Sequence, residues 1–514
     1  MPSVTQAVLL SWSVPPAASL TLLLTAVVYL RGWILLRRAG VPFIPPWRAA
    51  SFLLGLLSVW VALASPLDTF SSFLITAHML QHMMLMMLAP PLILLGAPLI
   101  PLVRGLPVFA AREFAGPFLN WRVATRIGNA LIHPLVALLL MGLVNFAWHT
   151  PRLYELALAS SSWHEVEHAC FFLVSLVFWW PVVKPWPSRS HWPRWTVVPY
   201  LLIGDLQNTT LSAILALTDR VIYPSYASMP RLFGVSALQD QAAAGAIMWV
   251  MGGFAFVVPA VVIALQCLQT RPHEKHLSSA SKLESSSLGA LVSLSRRMSF
   301  GGRWLRRRWS ARAVEAISFL LIFAVAGFGL AYLASGSSDD DDQVLRLHEQ
   351  SGAFTVSVFA PAGDLETGSS DFNVLVQDRS NQDVLLDPTV NLRAQQTNGS
   401  NSTESVRATN DSENKLLQSA SLNLPATGDW TVKVDVANNG QRADFSLPLR
   451  VTRPETGFTI PWSYVVWIAF STLLLFTYVR RHLRAQPRGS VHPVSPPIPD
   501  SAAELIYRPP VAKS

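Results

Sequence analysis

Residues 78 to 87 read HMLQHMMLMM, a run of imidazoles and thioethers inside an otherwise apolar stretch. His78 and His82 stand four apart, which puts both rings on one face of a helix, with Met86 continuing that stripe and Met79, Met83 and Met87 forming the adjacent one. Imidazole and thioether suit copper, Cu(I) in particular, and Met tolerates an uncharged, apolar setting. The chain has only two cysteines, Cys170 and Cys267, and no Cys-x-x-Cys pair, so any soft-metal chemistry has to use His and Met.

Other polar groups fall in apolar runs nearby. His149 lies in NFAWHTP, and His164 and His168 in WHEVEH with Glu165 and Glu167 beside them; Asp205 and Gln207 lie in GDLQN, and Asp240 in LQDQ. Ionisable groups inside a membrane are costly, so each is a functional candidate by default. Taken singly, a membrane His reads first as an interhelical hydrogen bond and a Met stripe as packing. Taken together, His78, His82, His149, His164 and His168 fall at matched depth and read as a metal-ligand set, with Met79, Met83 and Met86 as further donors. Asp205, Gln207, Glu165, Glu167 and Asp240 are the groups available to orient those ligands. For Asp205, support of His82 and a purely structural hydrogen bond are equal readings, and Asp240 reads more readily as a helix cap. His164 to His168 also matches His-Glu-x-x-His, the pattern of zinc proteases in which Glu165 would activate water. Haem ligation would need histidines from two facing helices.

These candidates sit in a chain of 514 residues, 51% hydrophobic and 14% charged, whose apolar runs reach the roughly 20 residues that cross a bilayer. Spans are expected at about 14–36, 49–66, 70–90, 132–149, 163–183, 196–217, 241–267, 313–334 and 459–479. Pro90 and Pro91 are expected to kink or end the third, and counting in from Phe70 puts His78 roughly 12 Å deep. The first run lacks a basic leader and a convincing cleavage site, so it reads as a retained span. Most of the 39 Lys and Arg fall in the segments of one side, which predicts an N-terminus outside and a cytoplasmic tail, 480–514. The net charge of +8 and pI near 9.7 then reflect basic inner loops against anionic lipid, not nucleic acid.

Residues 335–458 differ in kind. Alternating runs such as Phe354 to Phe359, Phe372 to Val376 and Trp430 to Val436 are separated by Gly, Asn, Asp and Pro turns. They predict a small β-sandwich with no Cys or Met and one histidine, His348, hence no metal site of its own. The expected fold class is an α-helical polytopic membrane protein, a seven-span bundle (10–270) plus two extra spans (313–334 and 459–479), with an extracytoplasmic β-sandwich. A basic cytoplasmic loop, 271–312, joins spans seven and eight.

The run SPLDTFSSFLITAHMLQHMMLMMLAPPLILLGAP (65 to 98), with NFAWHTP, WHEVEH, the YPSY of Tyr223 to Tyr226 and LQDQAAAGAIMW (238 to 249), resembles the CtaG-like family of cytochrome c oxidase assembly proteins over about residues 10–270. LPATGDWTVKVDV (424 to 436) is more weakly similar to YtkA-like outer domains. The resemblance implies a multi-pass protein of the bacterial plasma membrane that assists maturation of a haem-copper oxidase. It would bind copper through the five histidines and deliver it to an oxidase subunit, as a non-enzymatic factor. The alternatives are an intramembrane zinc metalloprotease built on HEVEH and a metal-free assembly scaffold, with zinc or haem as other possible occupants.

Overall fold

Proline sets many of the helix starts. In the computed structural model, which describes residues 3–41, 44–107, 122–185, 192–269, 343–397 and 405–453, α1 is Val4–Leu10, α2 Pro16–Arg38, α3 Pro46–Ala64 and α4 Pro66–Ser71. Then come α5 (Ile75–Leu95), α6 (Leu99–Gly105), α7 (Arg122–Leu131), α8 (Pro134–Trp148) and α9 (Pro151–Ala159). The helical part closes with α10 (Ser161–Val183), α11 (Val197–Leu217), α12 (Pro224–Ser228) and α13 (Ala237–Gln269). A proline at the first helical position has the right φ and gives up an N–H that would go unpaired anyway.

Five of the described helices are long and apolar enough to cross a bilayer, namely α2, α3, α5, α10 and α13, and a sixth span results if α8 and α9, bent by 68°, are taken together. The bend falls where Pro151 forces Thr150 into an extended conformation (φ −69°, ψ 138°). The segment expected as the sixth span is the helix α11, 21 residues long; it is not among those apolar helices, its middle carrying Asp205, Gln207, Asn208, Thr209 and Thr210. It packs on α13 through glycines: a Cβ at Gly245 would meet Ala216 N at 2.6 Å, and one at Gly252 would run into the Asn208 amide. The expected eighth and ninth spans and the 271–312 loop lie outside the described residues.

Two expectations for the third span are corrected. The span does not run unbroken from residue 70, because α4 ends at Ser71 and α5 starts at Ile75, so His78 lies in the first turn rather than two turns down. Of the two readings of Pro90 and Pro91, only the end of the span is excluded: the helix continues to Leu95, with its ladder disturbed into π turns over Met84–Leu88 just before the prolines. Pro90 has no N–H to offer the carbonyl of Met86, and the Trp179 indole of α10 donates to that oxygen at 3.0 Å instead.

The second region is all β: β1 Gln343–Ser351, β2 Phe354–Pro361, β3 Leu365–Glu366, β4 Gly368–Asp378, β5 Thr389–Gln396, β6 Val406–Arg407, β7 Gln418–Leu424, β8 Gly428–Asn438 and β9 Gln441–Thr452. One sheet has the order β1-β2-β4-β7, the other β3-β9-β8-β5-β6. Both contribute to one apolar core, with Val356, Val358 and Phe372 from the first and Val390, Trp430 and Val432 from the second. The three runs expected as strands fall within β2, β4 and β8.

Candidate metal centre

α5 begins on Leu74, which offers no side-chain cap. The cap comes from α13. Asp240 Oδ2 accepts from Ile75 N at 2.6 Å and Oδ1 from Thr76 N at 3.2 Å, while Thr76 Oγ1 donates to the Asp240 carbonyl at 3.1 Å. Asp240 therefore caps not its own helix, whose start Ser236 and Gln239 close reciprocally, but the helix carrying His78 and His82.

α10 faces α5 and supplies the other half of the site. Donor atoms of His78, His82, His164 and Glu167 all lie within 4.8 Å of one another. Glu167 Oε2 stands 3.5 Å from His78 Nε2 and 3.7 Å from His82 Nε2, too far for good hydrogen bonds. Ring centroids of His78 and His82 are 4.3 Å apart and those of His78 and His164 5.1 Å. His78, His82 and Glu167 are inaccessible to solvent, at 0–1% exposure.

Both ring nitrogens of His78 and His82, Nε2 of His164 and both oxygens of Glu167 are buried without a hydrogen-bond partner. Each such atom costs about 1–3 kcal/mol. An ion at their centre would take one lone pair from each of the three imidazoles and one from Glu167, satisfying one atom of each residue.

His168 borders this group, its ring 4.2 Å from His164 and 5.3 Å from His82, with Nε2 also buried and unpartnered. His149 caps the end of α8; its Nδ1 lies 2.8 Å from the Asn145 carbonyl. A carbonyl can only accept, so Nδ1 carries the hydrogen and Nε2, buried and unpartnered, keeps its lone pair. Met79, Met83 and Met86 are buried in the apolar core with Phe171, Val174 and Phe178.

Glu165 and Glu167 divide sharply: Glu165 is exposed while Glu167 is buried against the histidines. The zinc-protease reading needs Glu165 at the metal, and the structure turns it away. Of the two equal readings of Asp205, support of His82 is not seen, since both His82 ring nitrogens and Asp205 Oδ1 lack partners. Gln207 packs instead against Gly142 of α8.

Sequence reasoning missed three tyrosines that wall the site. The Tyr154 ring lies 5.0 Å from His78 and stacks on Tyr223 at 3.7 Å. The Tyr223 hydroxyl donates to the His149 carbonyl at 3.1 Å, and that of Tyr226 to the Ser71 carbonyl at 2.5 Å. The YPSY segment holds two of them, but nothing in its spacing places it beside α5.

Residues 27–270, the helical region from within α2 through α13, match the family model described as cytochrome c oxidase caa3 assembly factor (Caa3_CtaG). The chain is also similar to an uncharacterized protein of Mycobacterium leprae (strain TN), 27% identical over 271 residues, which cover 51% of this chain and 40% of that protein. An uncharacterized protein of Mycobacterium bovis is 26% identical over 250 residues, 47% of this chain and 37% of the relative. The chain thus spans about two fifths of the length of the relatives it matches. No solved structure matches it significantly.

Proposed function

We propose, from the premise that residues 27–270 belong to the caa3 assembly factor family, that this chain binds a copper ion at His78, His82, His164 and Glu167 and passes it to a subunit of a cytochrome c oxidase. The observation that carries the reading is the convergence of four residues from α5 and α10 with unpartnered donor atoms within 4.8 Å, three of them fully buried and His164 at the edge. Three neutral imidazoles and one carboxylate around a monovalent ion sum to zero charge. A divalent ion would leave an uncompensated charge in a low-dielectric surrounding, so the set favours Cu(I) over zinc on electrostatic grounds.

Copper here is cargo rather than a resident cofactor. Imidazole holds it firmly enough to bind, yet a site without thiolates lets it go to a competing ligand set, and His149 and His168 beside the quartet supply further imidazoles for exchange. The residues carry out binding and orientation, and no bond in a substrate is broken. We place the end bearing the β-region outside the cell and the basic segments in the cytoplasm, on the charge asymmetry of the sequence.

The test is the metal content of full-length protein purified in detergent and loaded with Cu(I) under reducing conditions, beside a His78→Ala, His82→Ala double variant. Stoichiometric copper in the first and none in the second is expected. Zinc retained in place of copper would overturn the identity of the cargo, and no metal in either would leave an assembly scaffold.

A further inference from the structure

Antiparallel sheets at a surface usually keep one face wet. In the middle of the four-stranded sheet that face is covered: all eight residues of β2 and the run Val374 to Gln377 of β4 are buried, whereas β7 of the same sheet, like β8, alternates between buried and open positions. Phe354, Val356, Val358 and Ala360 face the core shared with the second sheet. Phe359 of β2 and Leu375 of β4 belong to a different cluster, with Ala7, Phe70, Ala77, Leu232 and the loop residue Leu416. The second face therefore lies on the helical region, at the end of α5 that carries the histidines. The Phe359 and Phe73 rings meet edge-on at 5.4 Å. Gln377 Nε2 donates to the Arg231 carbonyl at 2.8 Å, and Lys415 N donates to Ser11 Oγ at 2.9 Å.

Two lines of contact run from this face to the site. Phe73 and Leu74, just before α5, and Ala77 in its first turn next to His78, share one apolar cluster with Phe359 and Leu375 of this face, Phe73 touching Phe359 directly. Arg231, whose carbonyl holds Gln377, donates through Nη1 to the Tyr226 carbonyl at 3.0 Å; the Tyr226 hydroxyl is 3.4 Å from that of Tyr154, which lies against His78.

We propose that the β-region is the cover of the metal centre: its four-stranded sheet seals the end of the helices over His78, and an ion enters or leaves when that sheet lifts. The proposal rests on the copper reading above. The ring nitrogens of His78 and His82 are closed to solvent, so exchange demands that something move. The β-region is suited to move as a body, because its two sheets enclose a core of their own, while α5 and α10 are locked to each other by packing and by the Trp179 bond.

The experiment measures release of bound Cu(I) from the full-length protein to a chromophoric Cu(I) chelator, for the native chain and for Phe359→Asp. Phe359 points away from the β-core, so the change strikes the docked face. Leu416→Asp, in the loop before β7, is the second variant should the first not fold. Hydrogen exchange at residues 73–77 reports docking independently of metal. Loosened docking with unchanged copper stoichiometry and release faster by about tenfold or more is expected, since the open population scales directly with the loss of docking affinity. Undocking with an unchanged release rate overturns the cover while leaving the copper site intact. Loss of copper from both folded variants also overturns it, making the sheet part of the site's scaffold. Failure of the native chain to take up copper removes the site and the cover together.

Discussion

α5 and α10 each present a His-x-x-x-His pair, and the two helices use that spacing differently. On α5 both members, His78 and His82, enter the quartet. On α10 the members nearest the centre are His164 and Glu167, three apart, while His168 lies beside it. Helical spacing puts residues on a common face, but which part of that face reaches a neighbour depends on where the helices cross. In this crossing the Glu167 carboxylate rather than His168 stands with His164 among the clustered donor atoms, a difference that single changes on α10 can break. His164→Ala is expected to weaken Cu(I) binding by more than the roughly 10–100-fold associated with outer partners of a metal ligand, and His168→Ala by no more than that range. Competition titrations against a Cu(I) chelator measure both, and equal losses would return His168 to the inner set. Glu167→Gln is expected to follow His164→Ala, while Glu165→Gln should leave affinity unchanged.

The difference between the two helices also marks what the sequence could tell. The long helices up to residue 269 are legible, and five of them, α2, α3, α5, α10 and α13, because their apolar runs reach bilayer length. The candidate histidines are legible because ionisable groups there are conspicuous. The inward turn of Glu167 is not, because Glu165 and Glu167 flank the same histidines and only the crossing of α5 and α10 separates them. The passage of α5 through Pro90 and Pro91 is hidden too, as it depends on the Trp179 indole, 93 residues away in sequence. β2 offers a partial signal: FTVSVFAP alternates like a half-exposed strand until Phe359, an apolar ring on the face that should be wet. That residue now marks the contact with the helices.

A smaller effect sharpens the α5 side. Asp240 fixes the first turn of α5 with both carboxylate oxygens, whereas α10 begins on Ser160 without a side-chain cap. Asp240→Asn retains one acceptor oxygen and loses the charge that complements the helix N-terminus. A loss of about 1 kcal/mol of stability is expected, read as a lower thermal midpoint in detergent. Copper affinity should fall by only a few fold, since the residue acts on His78 through the backbone. Loss of binding as complete as in His164→Ala would mean that Asp240 does more than hold the helix.

The smallest expected effect is a pH dependence on the α5 side. Asp68 of α4 is partly buried, and its carboxylate accepts from Gln81 Nε2 at 2.8 Å and from Ser13 Oγ at 3.0 Å. Burial outweighs those two hydrogen bonds and pushes the carboxyl up from 3.8 to about 6. The folded state thus holds this proton more tightly than the unfolded chain does. Below about pH 4 both states are protonated and the group costs nothing; as pH rises through about 6, ionisation is opposed in the folded state and stability falls. With allowance for partial exposure, the change is on the order of 1–2 kcal/mol. Thermal midpoints between pH 4.5 and 7 should therefore decline in the native chain more than in Asp68→Asn, which has no such proton to lose. Because Gln81 lies between His78 and His82 in sequence while its amide bonds Asp68 and the Ala62 carbonyl, that variant should leave copper stoichiometry unchanged. An identical pH slope in both proteins would show that the carboxyl of Asp68 is hydrated and that Gln81 is held by α3 alone.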